Sequence, residues 1–234
     1  MVGGLSKHFH ISPRPEDRFW VLEVELSVRY LVPGQEHCVE QEVQRSRFIA
    51  HVAPAPEIGD AQAFIESIRQ RYPDASHHCW AYVVGAAGAV AGASVGASDD
   101  GEPRGTAGKP MLSVLTHSDV GDVCVVVVRY FGGTKLGKGG LVRAYGGSVR
   151  LALEDLPTVL KVQRVEMTAR LAYADLERVR QVLAEHDVEI SDEQFGAEVT
   201  VTVAVALDAV EALEQALTSK THGRVALHRP VKPG

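Results

Sequence analysis

Val123-Cys124-Val125-Val126-Val127-Val128-Arg129-Tyr130-Phe131-Gly132-Gly133-Thr134-Lys135-Leu136-Gly137-Lys138-Gly139-Gly140 is the stretch on which the fold of this 234-residue chain turns. An apolar run with five valines in six residues predicts a strand covered on both faces, because a half-solvated strand would alternate. The glycines that follow predict a tight loop. Leu141 to Leu153 then reads as a helix ended by Pro157. A strand that passes through a glycine-rich loop into a helix start places backbone N–H groups where they can meet an anion.

Outward from there, His37–Gln44 and Ser46–Val52 predict a strand pair after the Pro33-Gly34 turn, and Phe19–Val32 an earlier strand. Ala61 to Arg71 predicts a helix with Phe64, Ile65, Ile68 and Tyr72 on its apolar face, stopped by Pro73. Cys79–Val84 is a short strand, and Gly85–Thr106 reads as one long loop ending in Ser98-Asp99-Asp100-Gly101-Glu102-Pro103. Thr106 is the expected N-cap of the next helix, with Pro110 in its first turn.

The last third has its own order. Val162–Ala172, Val188–Ser191, Glu198–Ala206 and Arg224–Leu227 read as strands, with helices at Asp175–Glu185 and Ala209–Leu217. That β-α-β-β-α-β order predicts a ferredoxin-like module. The expected division is a poorly ordered extension over 1–18, a larger domain over 19–157 and the ferredoxin-like domain over 158–234.

Net charge is −6, which excludes a wholesale nucleic-acid coat, but the charge is uneven. Between Arg129 and Leu153 stand Arg129, Lys135, Lys138, Arg143 and Arg150 with no acid among them. If the loop Gly105–Pro110 opens a second helix beside this window, Arg104, Lys109, Arg129, Lys135, Lys138 and Arg143 form a candidate anion or nucleic-acid face. Tyr130, Phe131 and Tyr145 are candidates for stacking on bases.

Gly132 through Lys138 matches the first part of a nucleotide-binding phosphate loop. Gly139, however, stands where that motif needs the hydroxyl that holds magnesium. Asp99, Asp100 and Glu102, with His78, make a candidate acidic or polar cluster, against which stands the ordinary use of Asp-Asp-Gly as a turn. His77 and His78 are adjacent on extended backbone and so point to opposite faces, which opposes a shared metal. No catalytic residue, metal or cofactor is assigned.

Cys38, Cys79 and Cys124 show no pairing pattern and suit a reducing compartment. The start has no apolar stretch of the kind a secretory signal needs. The expected location is cytoplasmic, with no membrane segment.

Four blocks carry a resemblance. Ser46-Arg47-Phe48-Ile49-Ala50, His77-His78-Cys79-Trp80-Ala81-Tyr82, Ser98-Asp99-Asp100-Gly101-Glu102-Pro103 with Gly105-Thr106-Ala107-Gly108, and Arg129-Tyr130-Phe131-Gly132-Gly133 with Lys135-Leu136-Gly137 and Gly140-Leu141-Val142-Arg143-Ala144-Tyr145 closely resemble the YigZ/Impact family. The likeness runs from about Tyr30 to the C-terminus. It implies an α+β protein of the bacterial two-domain type. The N-terminal domain is then similar to the second domain of small-subunit ribosomal protein five, and the C-terminal one is ferredoxin-like, similar to those of elongation factor G. Eukaryotic relatives are translation regulators.

The function expected from residues and resemblance together is a non-enzymatic regulatory or binding protein that engages RNA, ribosome or a translation factor through the basic Gly-rich face. The alternatives are an enzyme acting on a phosphorylated or nucleotide-like small molecule, and a protein-only adaptor.

Overall fold

The computed structural model describes residues 29–87 and 93–229. The expected extension over 1–18, and the expected strand up to residue 28, lie outside the described residues.

The first domain is a five-stranded antiparallel sheet with helices on both faces. Its strands are β2 (His37–Val43), β3 (Ser46–Pro54), β4 (His77–Val84), β5 (Ser94–Ser98) and β6 (Val123–Tyr130), in the order β2-β3-β6-β4-β5. The valine-rich run is therefore the central strand, and Val123 to Val128 are all fully buried. Cys124, Val126 and Val128 pack against α1 (Ile58–Arg71). Val123, Val125 and Val127 pack under α2 (Gly108–Thr116) and α3 (Gly137–Glu154). Each fully buried valine contributes about 1.5–3 kcal/mol from apolar transfer, so this strand holds both layers to the sheet.

The helix predicted from Ala61 starts earlier, at Ile58, where Glu57 and Asp60 form a reciprocal capping box. The loop predicted over 85–106 is corrected by β5. Ser94 to Ser98 are too small and too mixed to show alternation, yet they pair with β4 from Val84↔Ser94 to Trp80↔Ser98.

The ferredoxin-like domain contains β8 (Arg164–Leu171), α4 (Leu176–Ala184), β9 (Val188–Phe195), β10 (Val199–Ala206), α5 (Val210–Thr221) and β11 (Leu227–His228). Its sheet order is β11-β8-β10-β9, with Val199, Val201, Val203 and Val205 buried beneath the helices. β9 runs four residues past the predicted end, and the closing strand shrinks to two residues.

Between the domains lies a ribbon of β1 (Arg29–Pro33) and β7 (Thr158–Val162). Residues 158–162 thus pair with the start of the first domain rather than joining the C-terminal sheet. Tyr30, Lys161 and the Gly85 N–H all donate to buried Asp122, at 2.9, 2.5 and 2.7 Å. From the neighbouring position Arg29 reaches Asp187 and Asp208 of the C-terminal domain. Among the described residues no helix is long and apolar enough to cross a membrane.

Candidate functional site

β5 and β6 both run antiparallel to β4, so they end at the same edge of the sheet. The turn after β5 leads into α2 and the loop after β6 into α3, and the two helices pack side by side. The two glycine-containing loops predicted from sequence therefore leave the sheet at the same end of the domain, with Pro110 at the start of α2 packed beside Gly146 in the middle of α3.

The acidic stretch lies between them. Glu102 N–H donates to Asp99 O at 2.9 Å, and Asp100 and Gly101 both have positive φ, so the segment is a tight turn. Asp99 accepts from the N–H groups of Gly105, Ala107 and Gly108 at 2.7, 3.0 and 2.9 Å. Desolvation pushes its carboxyl upward, but these three donors outweigh it and hold the group below its ordinary value of 3.8. Asp99 thus does the capping expected of Thr106, whose hydroxyl instead donates to Pro103 O. The start of α2 is closed from within and offers no free N–H cradle at these positions.

Asp100 accepts from the His78 N–H at 2.6 Å and from Arg69 at 3.3 Å. His77 Nδ1 lies 2.7 Å from the Asp100 carbonyl, to which it can only donate. The imidazole of His78 turns to the opposite face, toward Tyr72 O. Glu102 is buried. It accepts from Arg129 Nη1 at 2.5 Å and from the Tyr145 hydroxyl at 2.7 Å, with His77 Nε2 at 4.0 Å. Burial, with Cys79 and Glu102 nearby, pushes the Tyr145 phenol up, so it stays a donor.

His78 Nδ1 also stands 3.8 Å from Asp100 Oδ2, but Asp99 and Glu102 are used up in other directions, so the four make no single cluster. They do not converge on a reaction centre, and among the described residues no group of three His, Cys, Asp or Glu is placed to hold a metal.

Arg129 is the clear correction to the predicted face. It is 6% exposed, paired with Glu102 and packed between the rings of Phe48 and Phe131. Tyr145 is fully buried and Tyr130 donates to Asp74, so neither is a stacking platform. Phe131, half exposed, remains available.

Arg104, Lys109, Lys135, Lys138 and Arg143 are exposed, and among the described residues none lies within ion-pairing distance of a carboxylate. α3 begins with no side-chain cap and no acid in its first turn. Gly132 is required sterically, because a Cβ there would lie 1.9 Å from the Arg45 carbonyl. Gly139 is different: a Cβ there would meet only the Arg143 guanidinium within 4 Å, so the backbone stands open next to Lys138 in the chain. Alongside runs a groove of about 310 Å³, lined by Gln41, Val43, Gln44, Leu136, Gly140 and Arg143.

Sequence reasoning missed the paired role of Arg129 and Glu102. The one available signal was an arginine following an unbroken run of six apolar residues in a strand, where a charge demands a partner.

Comparison with known proteins agrees with the blocks that meet here. Residues 44–153 match the Impact N-terminal domain, and residues 170–224 match a domain of unknown function, DUF1949. The chain is 42% identical to an IMPACT family member of Haemophilus influenzae, over 85% of this chain and 95% of that one. It is 41% identical to the IMPACT family member YigZ of Escherichia coli, over 85% and 96%. A crystal structure of a hypothetical protein shares 40% identity with a TM-score of 0.61, covering 88% of this chain and 98% of that one.

Proposed function

This chain belongs to the Impact family, and on that premise we propose that it is a non-enzymatic, translation-linked binding protein that holds RNA through the start of α3. The observation that carries this reading is a helix start without cap or acid, flanked by Lys135, Lys138 and Arg143, none of them paired among the described residues. Free N–H groups at a helix start favour a phosphate, and the lysines add charge without demanding one geometry. Phe131, half exposed beside them, supplies a face on which an unpaired base can stack. Arg104 and Lys109, at the same sheet end, extend the positive field. The ribosome is the natural larger partner of such a face, through its RNA.

The test is a titration of single-stranded RNA at two salt concentrations, using wild type and the Lys135→Ala/Lys138→Ala variant. Two lost phosphate contacts lower the slope of log K against log salt by roughly 1.4, at about 0.7 per contact on a single strand. Unchanged affinity and slope in the variant would rule out this face.

The groove beside α3 supports a second reading, an enzyme or carrier for a phosphorylated or nucleotide-like small molecule. In that case a mononucleotide raises the melting temperature of wild type and not of Arg143→Ala, while RNA gives no salt-dependent binding.

A further inference from the structure

A second cluster lies at the entrance of β2, on the sheet face covered by α1 and apart from Glu102. Cys38 and His51 are direct cross-strand partners, with Sγ 3.8 Å from Nε2. His51 is 2% exposed, and its Nδ1 is buried without a hydrogen-bond partner. That orphaned nitrogen faces Glu36 Oε1 at 3.6 Å, and Glu36 is held in place by Arg71 at 2.6 Å. Tyr72 closes the pocket from α1, its hydroxyl 3.1 Å from His51 Nε2 and its ring 5.2 Å from the imidazole.

A neutral imidazole carries one N–H. Placing it on Nδ1, toward the carboxylate, leaves the Nε2 lone pair facing both the Tyr72 hydroxyl and the Cys38 thiol. Thiol, imidazole and carboxylate then stand in the order used wherever a nucleophile is activated by an oriented base.

We infer that Cys38 is a modification site, a thiol that His51 activates toward small peroxides. The sulfur attacks one peroxide oxygen and the O–O bond breaks. The thiol proton passes to His51 Nε2 and on to the departing hydroxide. With hydrogen peroxide, Cys38–SH + H₂O₂ gives Cys38–SOH + H₂O; sulfur is oxidised and peroxide oxygen reduced. Cys79 and Cys124 are fully buried, so restoring the thiol requires an external one.

The charges around the pair make the dependence on His51 testable. Burial, then the Glu36 and Glu40 carboxylates, push the Cys38 thiol up, opposed by Arg71. Cys38 alone is thus a poor source of thiolate at neutral pH. Burial, then Arg71, holds His51 below 6.5 against the pull of Glu36, so the base is neutral and competent there.

The experiment treats the full chain with hydrogen peroxide from about pH 5 to about pH 9, traps sulfenic acid with dimedone and reads each cysteine by mass spectrometry. The expected result is label on Cys38 alone, with a rate that rises through the His51 titration and then levels. His51→Gln slows it about tenfold or more, and Glu36→Gln slows it as well. Glu36 is exposed, so that variant reports even if His51→Gln fails to fold. Equal rates in wild type and Glu36→Gln, or a wild-type rate that climbs without a plateau toward about pH 9, would overturn the inference.

Discussion

At the scale of single residues, the side chains that look most chemical are mostly structural. Glu102 and Arg129 are 8% and 6% exposed and neutralise each other, with Tyr145 as a further donor. Removing one partner strands a buried charge. Glu102→Ala is therefore expected to lower stability by about 3–5 kcal/mol in a denaturant titration, while Tyr145→Phe costs about 1–3 kcal/mol. Equal, small effects from both would show that the pair is solvated.

Asp99 gives the domain a pH dependence of known sign. Its folded value lies below 3.8, so its stabilising contribution is complete above that value and is lost as pH falls through the lower folded one. Asp99→Asn should flatten the acid limb of stability against pH below about pH 4, and an unchanged limb would show that the cap contributes nothing. Reading Asp-Asp-Gly as a turn was possible from the residues. That its first carboxylate caps a helix starting nine residues on was not, because the partner N–H groups come from a segment that sequence does not place in space.

At the scale of elements, legibility followed hydrophobic contrast. β6 and β10 were plain, the first because both faces are apolar, the second because valine alternates with threonine and alanine. β5 had no contrast to read. Its Gly96 lies under the ring of Tyr82, where a Cβ would sit 2.5 Å from the aromatic carbons, so the strand exists by fitting its neighbour.

Gly132 works the same way between the end of β6 and the β2–β3 hairpin. Gly132→Ala must push that hairpin outward, with an expected loss of about 1–3 kcal/mol, whereas Gly139→Ala, at an open position in a helix, should be neutral or slightly stabilising. Thermal melts of the two variants check this, and a reversed order would refute the assignment of close contact to Gly132.

At the scale of the whole molecule, two separate cores are joined by the β1–β7 ribbon. Asp122, 3% exposed and at φ 44°, anchors that ribbon to the first domain through Tyr30, Lys161 and Gly85. Asp122→Ala leaves these donors unpaired and should cost about 2 kcal/mol or more, with faster proteolysis around residues 156–163. Arg29→Ala removes only exposed ion pairs to Asp187 and Asp208 and should leave the cleavage rate of that segment unchanged. Similar cleavage in wild type and Asp122→Ala would show that the ribbon is held by its backbone hydrogen bonds, to its partner strand and between Leu31 and both Asp119 and Gly121, without help from this carboxylate.

The sequence by itself determined the family, the α+β class, the order of elements in the ferredoxin-like domain and the acid-free basic window. Each of these is written in local pattern or in motif identity. Only the tertiary structure decided which charges face solvent. Arg129 and Lys135 read alike in the chain, yet one is buried against Glu102 and the other is exposed. The same holds for Cys38 and Cys79, and for the helix start that Asp99 closes and the one that has no side-chain cap. The physical reason is that burial and pairing depend on how the chain folds back on itself: Arg129 of β6 meets Glu102 from the turn after β5, and even Asp99, whose partners are only 6 to 9 residues on, caps its helix only because that turn brings them together.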